Sequence, residues 1–129
     1  MRDQPPSDEL IAAMAPFGGG MGSSGRVCGT LAGALAVLGF TMGKTEAKGR
    51  DHKLMWMLSY RMVRQFDRIC KEYGSTDCRD IAGVNWKDRD SVHEFYKNPD
   101  SGRKNCVKVI RATSEYLHDL VNEHFSGEK

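Results

Sequence analysis

Between Glu46 and Tyr73 the chain carries a helical repeat that leaves few alternatives for its fold. Apolar residues recur every three or four positions, and charged residues fill the positions between them. This spacing places the apolar side chains on one stripe of an α-helix. We therefore predict one long amphipathic helix over residues 46–73, ended by Gly74 as a left-handed cap. Its apolar stripe consists of Met55, Leu58, Met62, Phe66, Ile69 and Tyr73.

Two helices are expected before the long one. Ser7 precedes acidic residues and is the expected N-cap of a short helix that stops near Pro16. The run VCGTLAGALAVLGFTMG, residues 27–43, is apolar on nearly every face and contains many small residues. It predicts a helix that is buried on almost all sides.

The C-terminal half predicts shorter helical pieces and one final helix. Ser75 is the expected N-cap of a helix of one or two turns that Gly83 ends. Residues 84–105 are polar and predict a linker folded onto the surface, with a helical turn at Ser91–Tyr96. The final helix carries one apolar stripe: Cys106, Val109, Ile110, Thr113, Leu117, Leu120 and Val121. No segment alternates like a strand, so we predict an all-α fold: a compact bundle of about five helices with a glycine-rich loop after the first.

Length and charge restrict the class of protein. A chain of 129 residues with 40% hydrophobic residues predicts a single domain over residues 1–129, with residues 1–6 flexible. The formal net charge of +2 gives no support to a nucleic-acid partner. The longest apolar run is broken by glycines and is too short to span a membrane, so no membrane association is expected.

The N-terminal stretch MRDQPPSDEL has acids and prolines where a secretory signal would be basic and then apolar. We therefore expect a cytoplasmic, reducing location. There, the four cysteines are expected to be free, metal-bound or redox-cycling rather than paired in structural disulfides.

The stretch GGGMGSSGRVCG, residues 18–29, leads directly into the small-residue helix. It matches G-x-G-x-x-G from Gly20 to Gly25, but a predicted helix precedes it where a dinucleotide fingerprint needs a strand, and the Lys of a P-loop is missing. The alternative starts from Cys28, which lies at a helix start where the dipole favours a thiolate. Gly29 and Gly33 would let a neighbouring helix or a cofactor approach closely. The structural alternative is that Cys28 is a small buried apolar residue with a packing role only.

Three of the four cysteines, Cys28, Cys78 and Cys106, fall at or near predicted helix starts. Cys70 differs because it lies late in the long helix, where a place in the core is as good an interpretation as ligation. The chain has no C-x-x-C pair, which excludes a thioredoxin-type motif, and no C-x-x-C-H, which excludes covalent haem on this chain. A shared site would have to be assembled from separate helices.

The runs FGGGMGSSGRVCGTLAGALAVLGF, YGSTDCRDIAGVNW and KNCVKVIRATSEYL, in this order, resemble the C_GCAxxG_C_C family of redox-active proteins. In that family a glycine-rich loop leads to a Cys-Gly-Ala-x-x-Gly helix start, and two single cysteines follow. The resemblance implies an all-helical fold similar to part of split-Soret cytochrome c. It also implies redox or metal-cluster chemistry.

Carried over by position, the resemblance implies that Cys28, Cys78 and Cys106 are the functional cysteines and that Gly29 and Gly33 complete the motif. Members of that family typically have a further cysteine on a helix upstream of the glycine loop, whereas residues 1–17 contain none. Either the upstream element is lost or Cys70 supplies the fourth sulfur. The four histidines, His52, His93, His118 and His124, have no telling spacing from a cysteine and are expected to be solvated.

We therefore expect a redox-active protein whose cysteines converge on an iron–sulfur or other metal site for electron transfer, with a redox partner protein. In this hypothesis the glycine loop supplies N–H groups to the sulfur atoms. The first alternative is metal-free thiol and disulfide chemistry. The second is a helical interaction module with structural cysteines that forms a homodimer through the small-residue face: Gly29, Ala32, Gly33 and Ala36.

Overall fold

The structure of the protein is a computed structural model that describes residues 4–125. Its regular elements are all helical, which confirms the all-α prediction, and within those residues the extended pairing is confined to an isolated bridge. Two 3-10 turns, Ala15–Phe17 and Lys71–Tyr73, extend the ends of α1 and α3. The α-helices are α1 (Asp8–Met14), α2 (Gly29–Met42), α3 (Met55–Ile69), α4 (Cys78–Ala82), α5 (Arg89–Lys97) and α6 (Arg103–Phe125).

The main core is formed where α2, α3 and α6 pack together. The predicted stripe of α3 supplies its centre, because Leu58, Met62 and Phe66 have no exposed surface. Leu38 of α2 and Leu120 of α6 close the core from the other two helices. Burial of large apolar side chains at this point is the principal stabilisation of the bundle.

The predicted long helix is wrong at its start, and its last turn, Lys71–Tyr73, is a 3-10 turn that follows the end of α3 at Ile69. It begins at Met55, and residues 44–54 form a loop instead. The Lys44 backbone N–H donates to Asp51 Oδ1 at 2.8 Å, and the His52 N–H donates to the Met42 carbonyl at 2.8 Å, which closes this loop. Its polar sequence has no apolar face to bury, so it gains little from a helix. Gly74, with φ of +85°, ends the last turn as predicted.

One of the N-caps predicted for the short helices is wrong. Ser7 caps α1 as predicted, accepting from the Leu10 N–H at 3.2 Å. At α4 the N-cap is Asp77 rather than Ser75, whose hydroxyl accepts from the Asp77 N–H at 3.0 Å in a turn before the helix. Gly83, with φ of +63°, ends α4 as predicted.

Residues 84–105 are more ordered than the predicted surface linker. The helical turn expected at 91–96 is a full helix, α5, and its Phe95 is buried in a second, smaller core with Cys78, Ala82 and Val84. Trp86 and Cys106 pack against this core. The linker therefore folds back and forms one wall of the site described below.

The prediction that α2 is buried nearly all round is wrong. Its buried residues are Leu31, Ala34, Leu38 and Met42, whereas Val37 is 43% exposed. One face of α2 thus stays open, beside α1. No helix within residues 4–125 is both long and apolar enough to cross a bilayer. Of the N-terminal segment expected to be flexible, residues 1–3 lie outside the described residues, and residues 4–6 are exposed.

Candidate redox site

The glycine-rich loop is a tight left-handed turn. Five consecutive residues, Gly19–Ser23, have φ between +60° and +71°. Glycine adopts this conformation without steric cost, but Met21 and Ser23 are L-residues that pay about 1 kcal/mol or more each. The surrounding hydrogen bonds must therefore hold the turn in place.

These hydrogen bonds lie within the loop itself. The N–H of Gly22 donates to the Pro16 carbonyl at 2.6 Å, and the N–H groups of Gly25 and Arg26 donate at 3.0 Å to the carbonyls of Gly19 and Gly20. A phosphate cradle needs such N–H groups to be free. The loop is therefore a scaffold, and these three donors are not offered to a phosphate or to the cysteine sulfurs.

The scaffold joins two of the cysteines. Val27 and Asp77 form an antiparallel bridge. On either side of it, the Cys28 N–H donates to the Thr76 carbonyl at 2.9 Å, and the Cys78 N–H donates to the Arg26 carbonyl at 2.6 Å. Cys28 becomes the N-cap of α2 and Cys78 the first residue of α4. The loop thus holds these two helix starts side by side.

Cys106 reaches the same place from the start of α6. Asn105 Nδ2 donates to the Ile81 carbonyl at 3.0 Å, which ties the first turn of α6 to α4. Gly102 lies so close to the Ala82 backbone that a side chain there would overlap it. The three helix starts that the sequence singled out are therefore neighbours in the fold.

The three cysteines line one cleft of about 950 Å³, to which α1, α2, α4, α5 and α6 all contribute lining residues. Gly29 and Gly33 of the motif also line it. Gly29 lets the chain pass close to the Phe17 carbonyl, which a Cβ would approach to 2.5 Å. Gly33 instead faces open space, since a Cβ there would meet no atom within 4 Å. The two glycines thus differ: one permits packing, and the other widens the cleft.

Cys70 lies apart from the cleft. It is the C-cap of α3 and is 1% exposed in the main core. Burial, followed by the nearby Cys28 and Asp67, raises its pKa to about 12. The position is that of a packed core residue. That Cys70 supplies a fourth sulfur stays a prediction.

Burial has the largest effect on the pKa values of the two cysteines on α4 and α6, Cys78 and Cys106. It raises the pKa of Cys78, against the opposing effect of Trp86, whose Nε1–H donates to the sulfur at 3.5 Å. Burial, then the charges of Cys78 and Cys28, raise the pKa of Cys106 to about 11. At neutral pH both are thiols. Their places at helix starts do not make them thiolates, because desolvation outweighs the dipole.

The raised pKa of Cys106 predicts a distinctive pH dependence of alkylation. Only the thiolate reacts, so below the pKa its rate climbs about tenfold per pH unit. We expect the rate at Cys106 to keep rising from pH 8 to pH 10, since its pKa is about 11 rather than 9.0. Iodoacetamide labelling followed by peptide mass spectrometry measures this, with unfolded protein as the control. A plateau near pH 9 in the folded protein would contradict the assignment.

An iron–sulfur cluster or another metal needs several ligand side chains gathered at one point. Within the described residues, no three His, Cys, Asp or Glu side chains come together as metal ligands. Three sulfurs face one cleft, but their arrangement is not a coordination shell, and a cluster takes about four thiolates. The residues as they stand therefore do not fit the group, and the metal site stays a prediction.

Sequence reasoning missed the partners of the cysteines. Trp86 lies in the predicted surface linker, yet its Nε1–H donates to Cys78 Sγ. Arg103 lies over the Tyr96 ring, 5.4 Å from its centroid, and also lines the cleft. The WxxxxxxxxFY spacing of residues 86–96 was the available signal, because three aromatic residues in a polar segment need a surface to pack on.

Comparison with known proteins agrees with the motif. No curated protein and no solved structure shows significant similarity to the chain. A family model, described as "Putative redox-active protein (C_GCAxxG_C_C)", matches residues 2–120. The match includes the glycine loop and all three cysteines of the cleft, so the chain belongs to the C_GCAxxG_C_C family of redox-active proteins.

Proposed function

We propose that the protein is a thiol redox protein whose reacting groups are Cys28, Cys78 and Cys106. One observation carries the proposal: three separate helix starts bring these thiols to a single apolar cleft. There, in addition to the effect of burial, Cys28 raises the pKa of Cys78, and both raise the pKa of Cys106. Cys78 and Cys106 are the first pair to consider, because Cys78 is the strongest charged influence on the Cys106 pKa. Oxidation would break two S–H bonds, form one S–S bond and release two electrons and two protons.

The raised pKa values give this chemistry its selectivity. Protonated thiols react slowly with oxidants in solution, because the thiolate is the nucleophile. Cys78 is 8% exposed, so its reaction requires an oxidant that enters the cleft. Cys28, half-buried as the N-cap of α2, is the thiol placed to exchange with Cys78.

Oxidation by diamide tests the proposal. The reduced protein has four free thiols. We expect diamide to remove two of them and to link the tryptic peptides EYGSTDCR and NCVK, which carry Cys78 and Cys106. Each cysteine lies in its own tryptic peptide, so mass spectrometry identifies the pair directly. The matched control is Cys70→Ser, which we expect to oxidise like the wild type, whereas Cys78→Ser keeps its remaining thiols.

Two outcomes would overturn the proposal. The first is that the folded protein keeps all four thiols, or links Cys70. The second comes from purification without oxygen: stoichiometric iron with acid-labile sulfide, lost together in Cys28→Ser, would replace thiol chemistry by an iron–sulfur site for electron transfer. A link between Cys28 and Cys78 would support the proposal and reassign the pair.

A further inference from the structure

The cleft concentrates the exposed apolar surface of the protein. Ten large apolar side chains among the described residues are exposed, and six of these line the cleft. Soluble proteins rarely leave such a contiguous apolar patch without a use. The six are Ile11, Phe17, Val37, Tyr96, Val107 and Ile110.

The charge of the lining narrows the class of ligand. Among the described residues that line the cleft, Arg103 is the one with a charged side chain, and it lies against the Tyr96 ring. A nucleotide carrier brings several phosphate charges, which need more cations or free backbone N–H groups. Of the nine N–H groups of residues 18–26, seven already donate to carbonyls of residues 15–21. An uncharged ligand suits this lining.

Aromatic rings at one end of the cleft narrow the class of ligand further. Trp86 packs against Phe95 with ring centroids 5.3 Å apart, and Tyr96 lies 6.2 Å from Trp86. These rings offer a surface on which a flat ring can stack. The Trp86 Nε1–H contacts Cys78 Sγ at 3.5 Å, so a ring at this end would lie beside a thiol.

We propose that the cleft binds an uncharged quinone, which oxidises the cysteine pair. This inference rests on the proposed function, because the thiols are the electron donors. In the step, two S–H bonds break and one S–S bond forms between the cysteines. The quinone takes the two electrons and both protons and leaves as the hydroquinone, so atoms and electrons balance. The Arg103 guanidinium is a charged hydrogen-bond donor in the lining for a quinone oxygen.

Size and chemistry together favour this occupant over a polypeptide. About 950 Å³ lies within the range of small-molecule sites, and it accommodates a ring with a short apolar tail. A quinone is a neutral, flat, two-electron acceptor, and the cleft offers walls whose described residues are uncharged apart from Arg103, aromatic rings for stacking, and a pair of thiols that can donate two electrons. A second copy of the chain would cover the apolar surface but would leave the thiols without an oxidant.

Duroquinone is the probe, because its fully methylated ring leaves no C–H for a thiol to replace. The background is Trp56→Phe, which removes an exposed tryptophan of α3 and leaves Trp86 as the reporter. We expect duroquinone to quench Trp86 fluorescence saturably. Without oxygen, we expect it to yield one hydroquinone per disulfide in the reduced protein.

The matched variants are Gly33→Leu and Gly39→Leu. Both glycines lie inside α2, and a Cβ at either meets no atom within 4 Å, so both variants should fold with normal or higher stability. Gly33 lines the cleft, whereas Gly39 lines a separate pocket. We expect Gly33→Leu to weaken duroquinone binding by at least about tenfold and Gly39→Leu to bind like the wild type.

The outcomes separate this inference from the proposed function. If diamide closes the disulfide but duroquinone neither quenches Trp86 nor oxidises the thiols, the quinone site is wrong and the thiol function stands. If duroquinone binds and Gly33→Leu weakens it, yet no oxidant closes a disulfide, the thiol function fails and the quinone's redox role fails with it. A dimer that Gly33→Leu dissociates, measured by sedimentation, would assign the cleft to a second copy and overturn the inference.

Discussion

Replacing Gly20 with alanine is expected to lower the free energy of unfolding by about 3 kcal/mol. Gly20 has φ of +71°, which an L-residue adopts only at a cost. A Cβ there would also lie 2.5 Å from the Arg26 carbonyl oxygen and 2.6 Å from Cys78 Cβ. This carbonyl accepts the hydrogen bond from the Cys78 N–H that positions Cys78. The substitution therefore strains the loop and displaces Cys78 at the same time.

Gly22→Ala is the control for this effect. Its φ of +61° is nearly the same, but a Cβ there meets nothing within 4 Å. It should therefore cost only about 1 kcal/mol, which is the steric cost of the left-handed conformation. Urea unfolding of both variants measures the difference, and diamide treatment shows whether the disulfide yield falls in Gly20→Ala alone. Equal stability losses would show that the loop does not press against Cys78.

Apolar periodicity and helix-ending glycines in the sequence correctly predicted those parts of the fold that depend on interactions between residues close in the chain. The stripe of α3 forms because its apolar side chains share one helix face, and Gly74 and Gly83 end helices because glycine tolerates positive φ. The predicted start of α3 was wrong because local periodicity did not decide the structure there. Residues 44–54 are closed by contacts to Asp51 and Met42 that periodicity does not reveal.

The site depends on contacts that no local pattern specifies. The glycine loop meets α4 about fifty residues further along the chain, at the bridge between Val27 and Asp77. The sequence could show three cysteines at helix starts, and the family resemblance could group them. It could not show that Cys78 is buried and Cys106 half-buried, so it could not show that desolvation keeps both as thiols. Nor could it show that Gly33 faces a cleft while Gly29 packs.

Replacing Gly102 with alanine is expected to cost about 3 kcal/mol and to separate Cys106 from Cys78. The new Cβ would overlap the carbonyl oxygen of Ala82, a backbone atom of α4. A flexible side chain could move aside, but a helix carbonyl cannot without shifting the helix. The first turn of α6 must therefore move away from α4, and Cys106 lies on that turn.

Two readouts distinguish this displacement from general destabilisation. Loss of the neighbouring Cys78 and of burial should lower the pKa of Cys106 from about 11 toward 9.0 and speed its alkylation at pH 8. The yield of the Cys78–Cys106 disulfide should fall as the alkylation rate rises. Gly18→Ala is the control, because its Cβ would lie an ordinary 3.5 Å from the Ala15 carbonyl. If Gly102→Ala unfolds at the wild-type urea concentration and its Cys106 reacts at the wild-type rate, the contact between α4 and α6 does not hold the two thiols together, and the pairing must then depend on the glycine loop and Cys28.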